Sequence, residues 1–292
     1  LAIKGVVMEV GEQAKELIKL VGSKENISNT KFITVASGKG GVGKTNFAVN
    51  FAYVLSNVYN KKVLLVDADM GMANVHILVN VDTKKTLKDI ISGVPVEEVI
   101  FTTRGIDILP GFSGIDMLEE VEESSVLRLV QSLDDISKNY DYIIIDTGAG
   151  IDNRIVSFIK ASSKTYVITT PEPTAIIDAY ALIKSVKKIF GYSEFRIVVN
   201  MVKNRNEGFD TFEKLKNSAK KFLEIDLSLL GILPNTKNMK KSVKNKQLIA
   251  EIYPSDDFVR ELKVIASSEL GEPPPPEKTR FWEKVVNLLR RD

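Results

Sequence analysis

A doubly wound α/β fold, with one mostly parallel sheet carrying helices on both faces as a single domain, is predicted by three observations. Short apolar, β-branched runs recur along the chain. Longer segments of helical character separate them. A glycine-rich junction joins the first run to the first helix. Seven runs read as strands: Phe32–Ala36, Val63–Asp67, Ile106–Leu109, Tyr142–Asp146, Tyr166–Thr170, Arg196–Asn200 and Leu229–Leu233. Most are continuously apolar, the pattern of strands covered on both faces. Helices are predicted over Gly43–Val58, Ser124–Lys138, Thr174–Phe190, Phe209–Phe222 and Asp256–Ser268. This βα repetition implies parallel neighbours joined by right-handed crossovers. Ligands of such sheets sit at the carboxyl ends of strands, where the motifs below fall.

Three segments follow from this layout. Residues 1–30 hold one short helix, ended by Gly22, and a polar link. Residues 31–270 form the α/β domain. Residues 271–292 open with prolines 273 to 276, a stiff run that cannot continue a helix, and end in FWEKVVNLLRRD.

Composition narrows the chemistry. The 292 residues are 44% hydrophobic and 27% charged, as in a globular protein with a substantial core. Forty basic against 38 acidic side chains leave a net charge of +2, too balanced for bulk nucleic-acid binding. Without cysteine there is no disulfide, thiolate metal site or thiol nucleophile. A single histidine, His76, argues against a histidine-ligated metal or a Ser-His-Asp triad. No apolar stretch reaches membrane-spanning length and no signal peptide is evident, so a cytoplasmic location is expected.

The strongest motif is ASGKGGVGKT, Ala36 to Thr45, between a predicted strand and a predicted helix. Gly38, Gly40, Gly41 and Gly43 permit a loop whose backbone N–H groups, Val42 included, turn inward to cradle phosphate. The following helix start, with Asn46, adds its own N–H groups. Lys44 is placed for the β- and γ-phosphates of a nucleotide and the Thr45 hydroxyl for Mg²⁺. Strand-end carboxylates complete such a site: Asp67 and Asp69 in LLVDADMG, and Asp146 in IIIDTGAG.

KGGVGKT, with Lys39 ahead of the usual lysine, followed by DAD and DTGAG, resembles the deviant Walker A P-loop ATPases of the MinD/ParA class over roughly residues 30–268. The resemblance implies an ATP-dependent homodimer. Lys39 reaches the partner's phosphates, Lys44 serves its own subunit and Asp69 orients the attacking water. Asp67 and Asp146 support Mg²⁺ through water. Asn200, Pro234 and Asn235 flank adenine. Asn200 offers both a donor and an acceptor to a base edge.

Within the class, zero cysteine excludes the nitrogenase-type and iron–sulfur scaffold ATPases, and a single phosphate loop excludes the arsenite-pump type. DADMGMANVHIL, DTGAG and PEPTAIIDAYALIK resemble the flagellar FlhG (FleN) branch, although Gly148 stands where that branch more often has alanine. The segment Glu12, Gln13, Ala14 to Leu17 resembles its GTPase-stimulating motif, with Ile18 in place of the arginine. This implies a signal-recognition-type flagellar GTPase, FlhF-like, as partner, with basal-body components also possible. In the last segment Phe281, Val285, Leu288 and Leu289 share a helical face widened by Trp282 and Val286. A short helix of this kind suits an anionic membrane surface. One copy binds weakly; two on a dimer bind with avidity. Lysines 237, 240, 241, 244 and 246 read as a solvated helix face, with DNA an unlikely partner.

The expected function is an ATPase switch for flagellum number or placement, cycling between a cytosolic monomer and a dimer on the inner face of the membrane. Division-site placement, DNA segregation and slow-hydrolysing control of a transcription factor are the alternatives.

Overall fold

In the computed structural model, residues 29–69, 75–86, 89–90, 92–111 and 131–273 are described. The predicted GTPase-partner segment (residues 12–17) and membrane helix (residues 281–289) lie outside them. The first strand, β1 (Lys31–Ser37), runs through the middle of the sheet with Ile33, Val35 and Ala36 fully buried. Its neighbours are β5 (Tyr142–Ala149) on one side and β6 (Lys164–Thr169) on the other. Beyond β5 come β2 (Val63–Ala68), β4 (Ile106–Leu109) and β3 (Phe101–Thr103). Beyond β6 come β7 (Phe195–Val202) and β8 (Ser228–Pro234). All neighbours are parallel except β3 and β4. The chain builds one side of β1 first and crosses to the other after β5. The crevice for a ligand therefore opens beyond the carboxyl ends of β5, β1 and β6.

The helices are α1 (Lys44–Asn57), α2 (Val75–Leu78), α3 (131–137), α4 (Asn153–Ala161), α5 (Pro173–Phe190), α6 (Arg205–Leu223), α7 (Lys237–Lys244), α8 (Ile249–Ile252) and α9 (Asp257–Leu270). On one face α1 and α9 cover the sheet. Phe47 and Phe51 of α1 stack at 5.4 Å, and Tyr166 meets both edge-on at 6.3 and 6.0 Å. Each buried ring of this size contributes about 1.5–3 kcal/mol. A second cluster joins Leu182 and Ile183 of α5 and Leu215 of α6 to Val167 and Ile197. Local signals set the helix ends. Pro173 opens α5, where the missing N–H costs nothing, and Gly191 closes it in the left-handed region. Asn204 caps α6 by accepting from the Glu207 N–H, which starts that helix four residues before the predicted Phe209.

The last turn of α9 is fastened to the sheet by a buried carboxylate. Glu269 accepts from the Tyr166 hydroxyl and pairs with Lys164 at 2.6 Å and Arg196 at 3.4 Å. Its side chain has no exposed surface, while the two cations reach solvent.

Predicted and observed strands agree within a few residues, and Ile106–Leu109 coincides. The hairpin partner β3 was not predicted. It is three residues, FTT, with Thr102 exposed between two half-buried neighbours and no apolar run to mark it. The short helices α2, α4 and α8 were also not predicted as elements, whereas α7 falls where lysines 237 to 246 read as a solvated helix face, and the predicted Ser124–Lys138 helix is described only over 131–137.

Candidate functional site

The loop from Gly38 to Gly43 links the end of β1 to the start of α1. Gly43 caps α1 in the left-handed region (φ 86°), and a Cβ there would lie 2.5 Å from Asn200 Nδ2. Gly38 approaches α5 so closely that a Cβ would sit 2.1 Å from the Asp178 carbonyl oxygen. Both positions need glycine, one for conformation and contact, the other for contact. The loop borders a cleft of about 640 Å³ whose lining includes Lys39, Lys44, Thr45, Asn46, Asp69 and Met201. Gly40, Gly41 and Gly43 form its backbone wall. The Val42 side chain turns into the core, 3% exposed, so only its backbone faces the loop's work.

Beneath the loop the acids meet the lysine. Lys44 Nζ lies 3.1 Å from Asp146 Oδ1, with the side chains 7% and 1% exposed. Burial pushes the Asp146 carboxyl up, and Lys44 and the Thr45 hydroxyl pull it back. Its Oδ2 atom is buried with no hydrogen-bond partner among the described residues. Asp67 and Asp146 are register partners on adjacent parallel strands, so two carboxylates stand side by side. Burial pushes Asp67 up to about 6, and the Asp146 charge adds to this. The N–H groups of Val75 (3.1 Å) and Asp69 (3.2 Å) oppose it. Asp69 sits higher, on the cleft wall. A Cβ added at Gly148 would lie 3.3 Å from its Oδ1 atom.

Lys39 stands at the rim, 35% exposed. It bonds to Glu172 Oε2 at 2.7 Å and Thr174 Oγ1 at 2.8 Å, both at the start of α5. Sequence reasoning did not find these two partners, because nothing local links a β1 loop to a β6 loop. It also missed Met201, Ile77 and Leu78, which supply apolar lining.

The predicted base-binding residues are only partly gathered. Asn200 is 5% exposed, and its Nδ2 atom donates to the Val42 carbonyl at 2.8 Å. Half of its expected hydrogen-bonding capacity is thus committed to holding the loop. Asn235 is tied by its backbone N–H to Val202 at 3.0 Å. Pro234 lines a separate cavity of about 220 Å³ with Asn204, Arg205, Asp257, Arg260 and Glu261. The five lysines of 237–246 are exposed, and none makes an ion pair among the described residues.

Comparison with known proteins agrees with this geometry. Residues 30–199 match the AAA domain family. Antiactivator FleN of Pseudomonas aeruginosa is 35% identical over 88% of this chain and 92% of its own. Flagellum site-determining protein YlxH of Helicobacter pylori is 35% identical over 88% of this chain and 90% of its own. Septum site-determining protein MinD of Bacillus subtilis is 29% identical over 83% and 90%. Among solved structures, MinD of Pyrococcus horikoshii with Mg-ADP shares the fold at a TM-score of 0.65. It is 23% identical over 82% of this chain and 96% of that one. A glycine-rich loop with two lysines, set over paired strand-end aspartates on this sheet, defines a class. The chain belongs to the MinD/ParA class of P-loop ATPases. Within that class it belongs with FleN (FlhG) and YlxH.

Proposed function

We propose that the chain is an ATP-hydrolysing switch that dimerises with ATP and regulates the number or placement of flagella. The observation that carries this reading is the contrast between its two loop lysines. Lys44 is buried against Asp146, and Lys39 stands at the cleft rim. A buried cation suits the nucleotide held by its own subunit. A rim cation is free to turn toward a nucleotide presented by a second copy.

The residues fit an ATP–Mg²⁺ complex. The buried Asp146 Oδ2 lacks a protein partner among the described residues, and the Thr45 hydroxyl faces the same carboxylate. Thr45, Asp146 and Asp67 would hold Mg²⁺, the two carboxylates through water. When bound, the metal neutralises charge on the β- and γ-phosphate oxygens. Loop N–H groups from Gly38 to Thr45 bind and orient the phosphates. Lys44 exchanges Asp146 for phosphate oxygens. Asp69 orients water for attack on the γ-phosphorus, yielding ADP and phosphate. Charge on the phosphate oxygens peaks in that transition state. A cation delivered in trans by Lys39 is therefore worth about 10³–10⁵ in rate. Hydrolysis is slow until a dimer or a partner completes the site.

The name of YlxH, a flagellum site-determining protein, supports the flagellar role. Among the described residues no helix is long and apolar enough to cross a membrane. A peripheral, ATP-dependent attachment through residues 281–289 is the mode proposed, on the cytoplasmic face. An FlhF-like GTPase is the partner proposed for residues 12–17. The unpaired lysines 237–246 favour a second reading, DNA-linked segregation, which retention on DNA in a salt titration would support.

Light scattering tests the switch. The protein with ATP and Mg²⁺ is expected to double in mass, and with ADP to remain monomeric. A monomer under both conditions would dispose of the dimer.

A further inference from the structure

We propose that the chain's own amino-terminal segment docks on the last turns of α5 and α6, at the amino end of the sheet, opposite the cleft. Leu182 and Val186 lie on the inward stripe of α5, and Phe190 continues it four residues on. Leu215 and Ala219 lie on the inward stripe of α6, and Phe222 continues it three residues on. The earlier members of both stripes are buried, yet Phe190 is 39% exposed and Phe222 65%. Ile189 beside them is exposed as well. The two stripes thus run on past the core that covers them. Lysines border the rings without covering them. Lys160 Nζ lies 4.6 Å from the Phe190 centroid, and Lys221 Nζ lies 5.2 Å from that of Phe222. Neither these two nor Lys187, Lys188 and Lys220 make an ion pair among the described residues. Glu194 and Glu224 stand at the same end, so the surface is basic by the larger number of lysines.

The tether selects the occupant. Asn29 and Thr30 lead into β1 at this same end, and residues 1–28 precede them. β8 is the third strand from β1, about 14 Å away. Residues 22–29 can span about 26 Å when extended. The predicted helix before Gly22 therefore reaches α5 and α6. Its Ala14, Leu17, Ile18 and Val21 recur at i, i+3, i+4 and i+7, which makes one apolar face. A helix of this length does not hold by itself in water, so that face needs a surface. Charge separates the two ends of the chain. Residues 8–21 carry three glutamates against two lysines, whereas residues 281–292 carry two acids against three cations. A basic border therefore favours the amino-terminal segment. Docking hides Ala14 and Leu17, so a partner of this segment gains access only when it is released. The docking itself does not depend on which partner that is.

Hydrogen exchange read by mass spectrometry tests this on the nucleotide-free full chain. Amides of residues 12–21 are expected to exchange at least tenfold more slowly than an open chain. Phe222→Asp should speed their exchange about tenfold and leave the melting temperature unchanged. Ile189→Asp is the second variant, should Phe222→Asp destabilise the fold, and is expected to do the same. Leu17→Asp should speed exchange in the last turns of α5 and α6, which a helix folded only on itself would not do. Phe209→Asp, near the start of α6, should change neither region. Open-chain rates over 12–21 in wild type would overturn the proposal, as would rates there that ignore both Phe222→Asp and Ile189→Asp. The protection should survive tenfold dilution. Protection that fades on dilution would assign the surface to a second copy and overturn the intramolecular contact. Protection of the α5 and α6 ends that requires anionic vesicles would assign it to lipid and overturn the contact equally.

Discussion

Lys39 Nζ is 2.7 Å from Glu172 Oε2, joining the phosphate loop to the start of α5 within one subunit. Glu172 is 67% exposed. Exposed pairs of this kind contribute only about 0–1 kcal/mol, so the contact parks Lys39 without trapping it. A phosphate cluster on a second copy outcompetes one exposed carboxylate. Lys39→Ala is therefore expected to leave the melting temperature and ATP affinity of the monomer nearly unchanged. Dimerisation with ATP should be lost, and turnover should fall by about 10³ or more. Normal ATP-dependent dimers of this variant, seen by light scattering, would return Lys39 to a loop lysine.

The second lysine predicts the opposite pattern. Lys44 and Asp146 are both buried, and removing one partner of a buried pair costs about 3–5 kcal/mol. Lys44→Ala should lower the urea midpoint of the nucleotide-free protein and abolish ATP binding. Adding Asp146→Ala should recover much of the stability and none of the binding. Unchanged ATP affinity in Lys44→Ala would remove it from the site.

Asp69 is expected to act after binding. Asp69→Ala should dimerise with ATP and hydrolyse it poorly. A variant that stays monomeric with ATP would refute the water-orienting role.

Asp67 makes stability depend on pH. Its carboxyl is pushed up to about 6 by burial, above the roughly 3.9 of an unfolded aspartate. Between these values the folded state holds the extra proton, so stability falls as pH rises. The contribution is full below pH 4 and lost through pH 6, in total about 2–3 kcal/mol. Nucleotide-free protein in a chelator should therefore lose stability relative to Asp67→Asn as pH goes from 4.5 to 7. Parallel melting curves for the two proteins across that range would contradict the assignment.

Glu269 offers a test remote from the cleft. Glu269→Ala strands Lys164 and Arg196 partly exposed and leaves the buried Tyr166 hydroxyl without its acceptor. Urea unfolding should show a loss of about 1–3 kcal/mol. ATP affinity should not change.

The central strands were legible because both faces are covered. Ile143 to Ile145 appear as an unbroken apolar run and Ile33 and Val35 as one broken only by the buried Thr34, and register then sets Asp67 beside Asp146. Lys44 and Thr45 were legible because their chemistry depends on local spacing, and Lys39 was legible through the family resemblance. What stayed hidden depends on elements meeting in space. Glu172 meets Lys39 across 133 residues, and Asn200 meets Val42 across 158. The family resemblance implied that Asn200 flanks the base; only packing shows its amide nitrogen turned under the loop. Met201 followed from no periodicity, since a bulge breaks the alternation that would have placed it.

Gly38 changes how a mutational scan of ASGKGGVGKT would be interpreted. Alanine there collides with the backbone of α5 at Asp178, whereas alanine at Gly40 meets only ordinary contact with Ala149 at 4.0 Å. Loss of activity at position 38 would therefore report a displaced helix, and with it displaced Glu172 and Thr174, before it reported anything about phosphate. Neighbouring glycines in one motif would score alike for unrelated reasons, and only a fold-sensitive readout beside the binding assay would tell them apart.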